Sequence, residues 1–280
     1  MNIPCFCRFT IMTLVFILSA LSGCSNEKRG KEALVAIAQV FCIDGDRSGN
    51  LLRIENAIAE AKDNGADIIC LPETPVYGWV NPVAHSVAGE IPGKDSEEFC
   101  KLAAKYNVFI SAGLSEKEGD KLYDSAILVD NEGNIILKHR KINVLKELMN
   151  PPYTPGNIED ITAVDTKFGR IGILICADSF KEDILEQMKA EKPDLLLIPY
   201  GWAATEEMWP EHGDELMKTV VNVSIKVGCT VVGTDLVGRL SNGPWTGLTY
   251  GGQSICCDSN GSILIKANDR DRQIVVFDIN

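Results

Sequence analysis

Cys176 is the residue of this sequence whose setting best suits a nucleophile. Residues 171–176 form an apolar run that predicts a buried strand, and Ser179 with Glu182 indicates a capping box that begins a helix. Cys176 is therefore expected in a strand-to-helix turn, near the positive end of a helix dipole. Such a turn favours a thiolate and presents backbone N–H groups to an oxyanion. A cysteine at a strand end is also a common small core residue, so the interpretation depends on partners.

Two residues are candidates for the base that a thiol nucleophile needs. His139 belongs to a basic run, residues 139–141, that is also typical of a solvated strand end. Glu73 directly follows an apolar strand and stands between two prolines beside aromatic residues. Partial burial there would raise the pKa of a carboxylate toward neutrality, as a general base requires. A glutamate in this position is also commonly a cap or a surface charge.

Three segments together resemble the nitrilase superfamily of carbon–nitrogen hydrolases. They are Leu-Pro-Glu73, His-Arg-Lys141 and Gly-Ile-Leu-Ile-Cys176-Ala-Asp, in the family's order, within a likeness that covers residues 33–278. The resemblance implies Glu73 as general base, Lys141 as the cation that stabilises an oxyanion, and Cys176 as nucleophile. It also implies that the backbone N–H of Ala177 is the second oxyanion donor.

The family resemblance implies a single domain over residues 32–280, folded as a four-layer α-β-β-α sandwich. The chain fits this fold, because apolar strands alternate with amphipathic helices. Helices are predicted at 46–64, near 180–190, at 207–227 and after a capping box of Asp95 and Glu98, with strands that include 108–113 and 126–129. The implied activity is hydrolysis of a non-peptide carbon–nitrogen bond in a small amide or carbamoyl compound, through a cysteine thioester.

Other candidate site residues follow from the same resemblance. Many relatives carry a second glutamate shortly after the lysine, and Glu147 is the nearest candidate, although a solvated helix face fits it equally well. Aromatic residues on segments that border the family's pocket are candidates for lining the substrate site, with ordinary packing as the alternative: Tyr77, Trp79, Trp202 and Trp209.

Residues 1–23 have the pattern of a secretory leader. A 13-residue, mostly apolar run ends in Leu-Ser-Gly-Cys24, which resembles the bacterial lipobox. That resemblance implies cleavage before Cys24, lipid on its sulfur and a polar tether over residues 24–31. The protein is therefore expected to be exported and anchored by lipid to a bacterial membrane. A plain signal peptide and an uncleaved anchor are the alternatives.

The amino-acid composition limits the classes of partner that the protein can bind. A net charge of −12 repels phosphate backbones, so no nucleic-acid partner is expected. Neither a Gly-rich phosphate loop nor a metal-type spacing of Cys and His occurs, so no cofactor is expected. The family resemblance implies a homo-oligomer.

Several other functions remain open from the sequence. Nitrile hydrolysis or N-acyl transfer would use the same acyl-enzyme, and a catalytically silent binding lipoprotein would not use it. The last alternative is a hydrolase that uses a cysteine nucleophile with His139 as its base.

Overall fold

Two six-stranded sheets lie face to face in the computed structural model, which describes Met1 and residues 32–279. The leader and the tether expected before residue 32 lie outside the described residues. In chain order the strands are β1 Leu34–Gln39, β2 Phe41–Cys42, β3 Ile68–Cys70, β4 Phe109–Glu118, β5 Lys121–Val129, β6 Ile135–Arg140, β7 Ala163–Thr166, β8 Gly169–Ile173, β9 Leu195–Pro199, β10 Ala203–Ala204, β11 Thr230–Thr234, β12 Val237–Arg239, β13 Thr249–Gly251, β14 Ile255–Cys257, β15 Ile263–Lys266 and β16 Gln273–Asp278.

The helices pack on the outer faces of these sheets. They are α1 Arg47–Asp63, α2 Ala84–Val87, α3 Lys94–Tyr106, α4 Glu182–Ala190 and α5 His212–Val227, with 3-10 turns at Lys146–Leu148, Ile158–Asp160, Cys176–Phe180 and Glu206–Met208. Among the described residues, no helix has the length and apolar character needed to cross a bilayer.

The first sheet has the strand order β16-β1-β3-β4-β5-β6, and the second has the order β15-β14-β11-β9-β8-β7. A third, small sheet of order β10-β13-β12-β2 lies beside them. Helices α1 and α3 pack on the first sheet, and α4 and α5 on the second. The chain is therefore a single-domain α-β-β-α sandwich, and the fold implied by the family resemblance is confirmed.

Strand β1 shows why both faces of a sheet are apolar here. Val35 and Ile37 pack in the core between the two sheets, whereas Ala36 and Ala38 pack in the core beneath α1 and α3. Side chains alternate across a strand, so a strand covered on both faces must be apolar at every position.

Two predicted helix starts differ from the structure. Helix α3 begins at Lys94, where the N–H of Gly93 donates to Ser96 Oγ at 2.9 Å. Asp95 does not cap the helix through a box with Glu98, because its carboxylate accepts a hydrogen bond from Arg47 Nε at 2.7 Å. The helix predicted at 207–227 begins only at His212.

The hairpin of β4 and β5 is longer than the sequence predicts. Beyond residue 113 the pattern turns polar, yet β4 continues to Glu118 and β5 begins at Lys121. The polar extension is stable because Glu116, buried on β4, accepts hydrogen bonds from Lys138 Nζ at 2.7 Å and Arg140 Nη2 at 2.6 Å.

Strand directions determine where the candidate residues meet. β3 is parallel to β4, and β4 and β6 are both antiparallel to β5, so β3 and β6 end at the same edge of the first sheet. Glu73 follows β3 and Lys141 follows β6. Cys176 follows β8, a strand of the facing sheet, and β8 contacts β5 and β6 of the first sheet.

Candidate active site

Three buried side chains meet between the two sheets. Lys141 Nζ lies 2.5 Å from Glu73 Oε1, and these side chains are 4% and 0% exposed. Cys176, itself 5% exposed, lies close enough for the charges of both to shift its pKa. The structure thus brings together the base, cation and nucleophile named by the resemblance, which lie 35 to 103 positions apart in the chain.

Close backbone packing holds Glu73 in place. Its N–H donates to the Tyr200 carbonyl of the second sheet at 3.2 Å. Gly113 of β4 passes so near that a Cβ at this position would lie 2.7 Å from the Cα of Glu73. Only glycine permits this approach, so β4 defines the position of the Glu73 segment.

Lys141 is held in place through both its backbone and its side chain. Its backbone N–H donates to the Asp124 carbonyl at 2.8 Å, and its carbonyl accepts from the N–H of Gly156 at 2.8 Å. Its Nζ also lies 3.3 Å from Asp124 Oδ2, and the Asp124 side chain is 1% exposed. Asp124 is therefore the second carboxylate at this lysine.

Glu147 does not occupy that place. Its side chain is exposed on the 3-10 turn Lys146–Leu148, whereas Lys141 is buried, so the role of Glu147 as a second carboxylate stays a prediction. The signal for Asp124 was weak because strand β5 is predicted to begin only at residue 126. A charged residue just before a strand normally indicates a solvated turn.

Cys176 begins a tight 3-10 turn rather than the helix expected after it. Its φ of +40° lies in the left-handed region, which non-glycine residues adopt at a cost in free energy. The predicted capping box is wrong: Ser179 Oγ is hydrogen-bonded to the Tyr200 hydroxyl at 2.8 Å, and α4 begins at Glu182 without a side-chain cap.

Asp178 joins the nucleophile turn to the lysine segment. Its Oδ1 accepts from the N–H groups of Ile142 at 3.0 Å and Asn143 at 2.8 Å. Its Oδ2 accepts from the N–H of Ile175 at 3.1 Å and is hydrogen-bonded to His139 Nε2 at 2.9 Å. His139 is thus buried against Asp178 and belongs to the scaffold of the site, not to a solvated strand end.

Ala177 is part of the same connection. Asn143 Nδ2 donates to the Ala177 carbonyl at 2.6 Å, which holds the peptide between Ala177 and Asp178. The role of the Ala177 N–H as an oxyanion donor remains a prediction.

The electrostatics of the site favour a thiol and an ammonium in the resting state. Burial, and next the charge of Glu73, raise the pKa of Cys176 well above its usual value, and Lys141 offsets only part of this. The expectation of a thiolate favoured by a helix dipole is therefore not met. Burial alone would lower the pKa of Lys141, but the negative charge of Glu73 beside it raises the pKa well above its usual value.

The cavity at Cys176 has a volume of about 240 Å³. Its lining residues are Trp79, Leu145, Leu148, Cys176, Phe180, Gly201, Trp202, Ala203, His212 and Trp245. Trp79 and Trp202 thus line this cavity, and so do Phe180 and Trp245, which were not among the sequence candidates.

Tyr77 and Trp209 take structural positions instead. The Tyr77 hydroxyl donates to Asp95 Oδ2 at 3.1 Å, and Trp209 Nε1 donates to the Thr249 carbonyl at 3.1 Å. Neither residue is among those that line the cavity, so their place at the substrate site stays a prediction.

Metal-ligating side chains do not cluster in the described part of the chain. Across residues 32–279 no group of three or more His, Cys, Asp or Glu side chains is arranged to hold a metal ion. All seven cysteines of this part of the chain are free thiols.

Residues 33–280 match the family model described as carbon–nitrogen hydrolase. Among curated relatives, a citrullinase of Francisella tularensis is 26% identical over 253 residues, 87% of each chain. A bifunctional nitrilase/nitrile hydratase of Nicotiana tabacum is 24% identical over 229 residues, and the alignment spans 74% of this chain but only 62% of that relative. The chain belongs to the carbon–nitrogen hydrolase family.

Solved structures share the fold. A carbon–nitrogen hydrolase from Helicobacter pylori superposes with a TM-score of 0.80 at 22% identity, covering 89% of each chain. A mutant of a Nesterenkonia amidase superposes with a TM-score of 0.77 at 20% identity, covering 90% of this chain and 92% of that one. The likeness to these structures establishes the shared fold.

Proposed function

We propose that this protein hydrolyses the non-peptide carbon–nitrogen bond of a small amide or carbamoyl compound through a thioester on Cys176. The observation that carries the proposal is the buried contact of 2.5 Å between Lys141 Nζ and Glu73 Oε1, beside the Cys176 thiol in a cavity. A base, a cation and a nucleophile that meet as buried side chains are the groups that acyl transfer requires.

The first half of the reaction forms the acyl-enzyme. Glu73 takes the proton from Cys176 Sγ, and the thiolate attacks the carbonyl carbon of the amide. The oxygen of the tetrahedral intermediate is stabilised by the ammonium of Lys141 and by the N–H of Ala177. The carbon–nitrogen bond then breaks, and the departing amine takes the proton from Glu73.

The second half restores the thiol. Glu73 accepts a proton from water, and the resulting hydroxide attacks the thioester carbon. The carbon–sulfur bond breaks, the acid is released, and the proton returns from Glu73 to Cys176 Sγ. Lys141 stays charged throughout, because its raised pKa keeps the proton on its Nζ at neutral pH.

The experiment is a screen for ammonia release from short amides, ureido compounds and nitriles. Cys176→Ala should reduce kcat/KM at least about 1,000-fold, because without the sulfur no acyl-enzyme forms. Cys100→Ala is the matched control, since Cys100 is a half-buried free thiol on α3, away from the site. Circular dichroism and Tm should show that both variants remain folded.

The same screen separates the alternatives. Turnover restricted to nitriles would indicate a nitrilase, and product formation that requires an added amine would indicate acyl transfer. A silent binding protein would release no ammonia and would not react at Cys176 with an electrophile. Ammonia release that survives in Cys176→Ala would contradict the proposal in every form.

A further inference from the structure

Aromatic rings form much of the wall of the cavity at Cys176. The centroids of the Trp79 and Trp245 rings lie 5.9 Å apart at an interplanar angle of 65°, and those of Phe180 and Trp202 lie 5.8 Å apart at 73°. Rings fixed in edge-to-face contacts present rigid apolar surface to whatever enters.

The remaining large side chains of the wall are also uncharged. Leu145 and Leu148 contribute aliphatic surface. His212 packs against Trp202 with ring centroids 5.5 Å apart, and burial lowers the pKa of its imidazole despite the opposite influence of Glu215. His212 is therefore neutral at neutral pH, and the cavity lining contains no Asp, Glu, Lys or Arg.

The cation beside the nucleophile is already paired and is not part of the cavity lining. Lys141 Nζ contacts Glu73 at 2.5 Å and Asp124 at 3.3 Å, and in the proposed reaction it faces the oxyanion at the reacting carbon. A carboxylate or ammonium on the remaining part of the substrate would lose part of its hydration against the apolar lining without gaining a partner of opposite charge there. Burying an unpaired charge is strongly unfavourable.

We propose that the cavity selects amides whose remaining part is uncharged and apolar, and that it discriminates against substrates bearing a carboxylate or an ammonium group. This substrate class rests on the proposed hydrolase function and narrows it. It separates the chain from the Francisella relative named a citrullinase, since free citrulline carries both charges.

Three amides of nearly equal size test the substrate class. Valeramide is neutral, glutaramate has a carboxylate in place of its terminal methyl group, and 4-aminobutanamide has an ammonium there. The kcat/KM for valeramide should exceed that for each charged analogue by at least about tenfold, because their charge is buried unpaired. Citrulline serves as a fourth substrate and should be turned over no better than glutaramate.

A second measurement does not depend on turnover. Iodoacetamide and iodoacetate alkylate a cysteine by the same reaction, in which the thiolate of Cys176 forms a bond to carbon as iodide leaves. The two reagents differ in charge, because iodoacetamide is neutral and iodoacetate is an anion. The rate of each reagent with the protein is divided by the rate of the same reagent with 2-mercaptoethanol. After this normalisation, iodoacetamide should react at least about tenfold faster than iodoacetate. Equal normalised rates would overturn the substrate class.

A variant can reverse the preference. Phe180 lines the cavity but is 49% exposed, so an arginine is tolerated there and offers a partner to a carboxylate. Phe180→Arg should raise the ratio of kcat/KM for glutaramate over valeramide at least about tenfold. Leu52→Arg, at a 59% exposed position on α1, adds the same charge away from the cavity and should leave the ratio unchanged.

The outcomes distinguish the two levels of the proposal. Faster hydrolysis of glutaramate or 4-aminobutanamide than of valeramide, lost in Cys176→Ala, would overturn the substrate class and leave the hydrolase function in place. Ammonia release that does not need Cys176 would overturn the hydrolase function itself.

Discussion

Two carboxylates share one lysine at the residue scale. Glu73 is the closer partner of Lys141 Nζ at 2.5 Å, and Asp124 lies 3.3 Å from the same atom. Burial, and next the charge of Glu73, raise the pKa of Asp124 well above its usual value. We therefore expect Asp124 to keep its proton at neutral pH, so that Lys141 and Glu73 form a neutral pair beside the thiol.

Replacement of Asp124 tests that protonation state. Asp124→Asn has the same shape and no charge, so kcat/KM should stay within about threefold of the wild type, whereas Asp124→Leu loses the polar contact and should cost at least about tenfold. As the pH rises through the raised pKa, Asp124 ionises and places a second anion beside Cys176. The wild type should then lose activity at alkaline pH in a step that Asp124→Asn lacks. A loss in Asp124→Asn as large as in Asp124→Leu would show that the aspartate acts as an anion.

At the element scale, the β4–β5 hairpin positions the side chains of the candidate site. Burial would raise the pKa of Glu116 on this hairpin, but hydrogen bonds from Arg140 and Lys138 lower it to about 2, so it pairs with β6 as a carboxylate. The same hairpin carries Asp124 to Lys141 and brings Gly113 against the Glu73 segment. The geometry of the candidate site is thus a property of three paired strands.

Gly113→Ala should disturb this arrangement. Its Cβ would lie 2.6 to 2.9 Å from backbone atoms of residues 72–74, so Glu73 must shift. We expect a loss of about 1–3 kcal/mol in the free energy of unfolding, as for other overpacked cores, together with a fall in kcat. Gly89→Ala is the control, because its Cβ would meet its nearest neighbour at 3.5 Å. Urea denaturation and kinetics that gave the same result for both variants would contradict this account.

At the scale of the whole molecule, strand β1 begins at Leu34 and pairs antiparallel with β16, so both ends of the described domain meet in one sheet. Cleavage before Cys24 would also remove Arg8, leaving 26 basic and 39 acidic residues and a net charge of −13.

Membrane attachment through Cys24 is a prediction at this scale. In a bacterial host, the wild type should incorporate labelled palmitate and sediment with membranes, because acyl chains supply the anchor. Cys24→Ser should lose the label and enter the soluble fraction, with kcat/KM changed less than about twofold. Cys100→Ser should behave as the wild type. Label retained in Cys24→Ser would contradict the lipobox interpretation.

Local patterns in the sequence were sufficient for the main elements, and the family resemblance indicated three residues that the structure brings together. The helix expected at 46–64 is observed as Arg47–Asp63, with the Asp46 side chain accepting from the N–H of Gly49 at 3.0 Å. Apolar strands preceding Glu73 and Cys176 were equally clear. These features depend on neighbours in the chain, which periodicity and capping residues record directly.

Tertiary packing alone decided the rest of the site. Asp124 reaches Lys141 because a polar strand extension is paired with β6. Phe180 meets Trp202, and Trp245 meets Trp79, only in the folded chain, because the members of these pairs lie 22 and 166 positions apart. The pKa of Cys176 also follows from this packing, since desolvation between the sheets outweighs any benefit of its turn. By itself the sequence determined which residue types end which strands. Burial and the approach of distant charges depend on contacts across the sheets, and no local pattern encodes them.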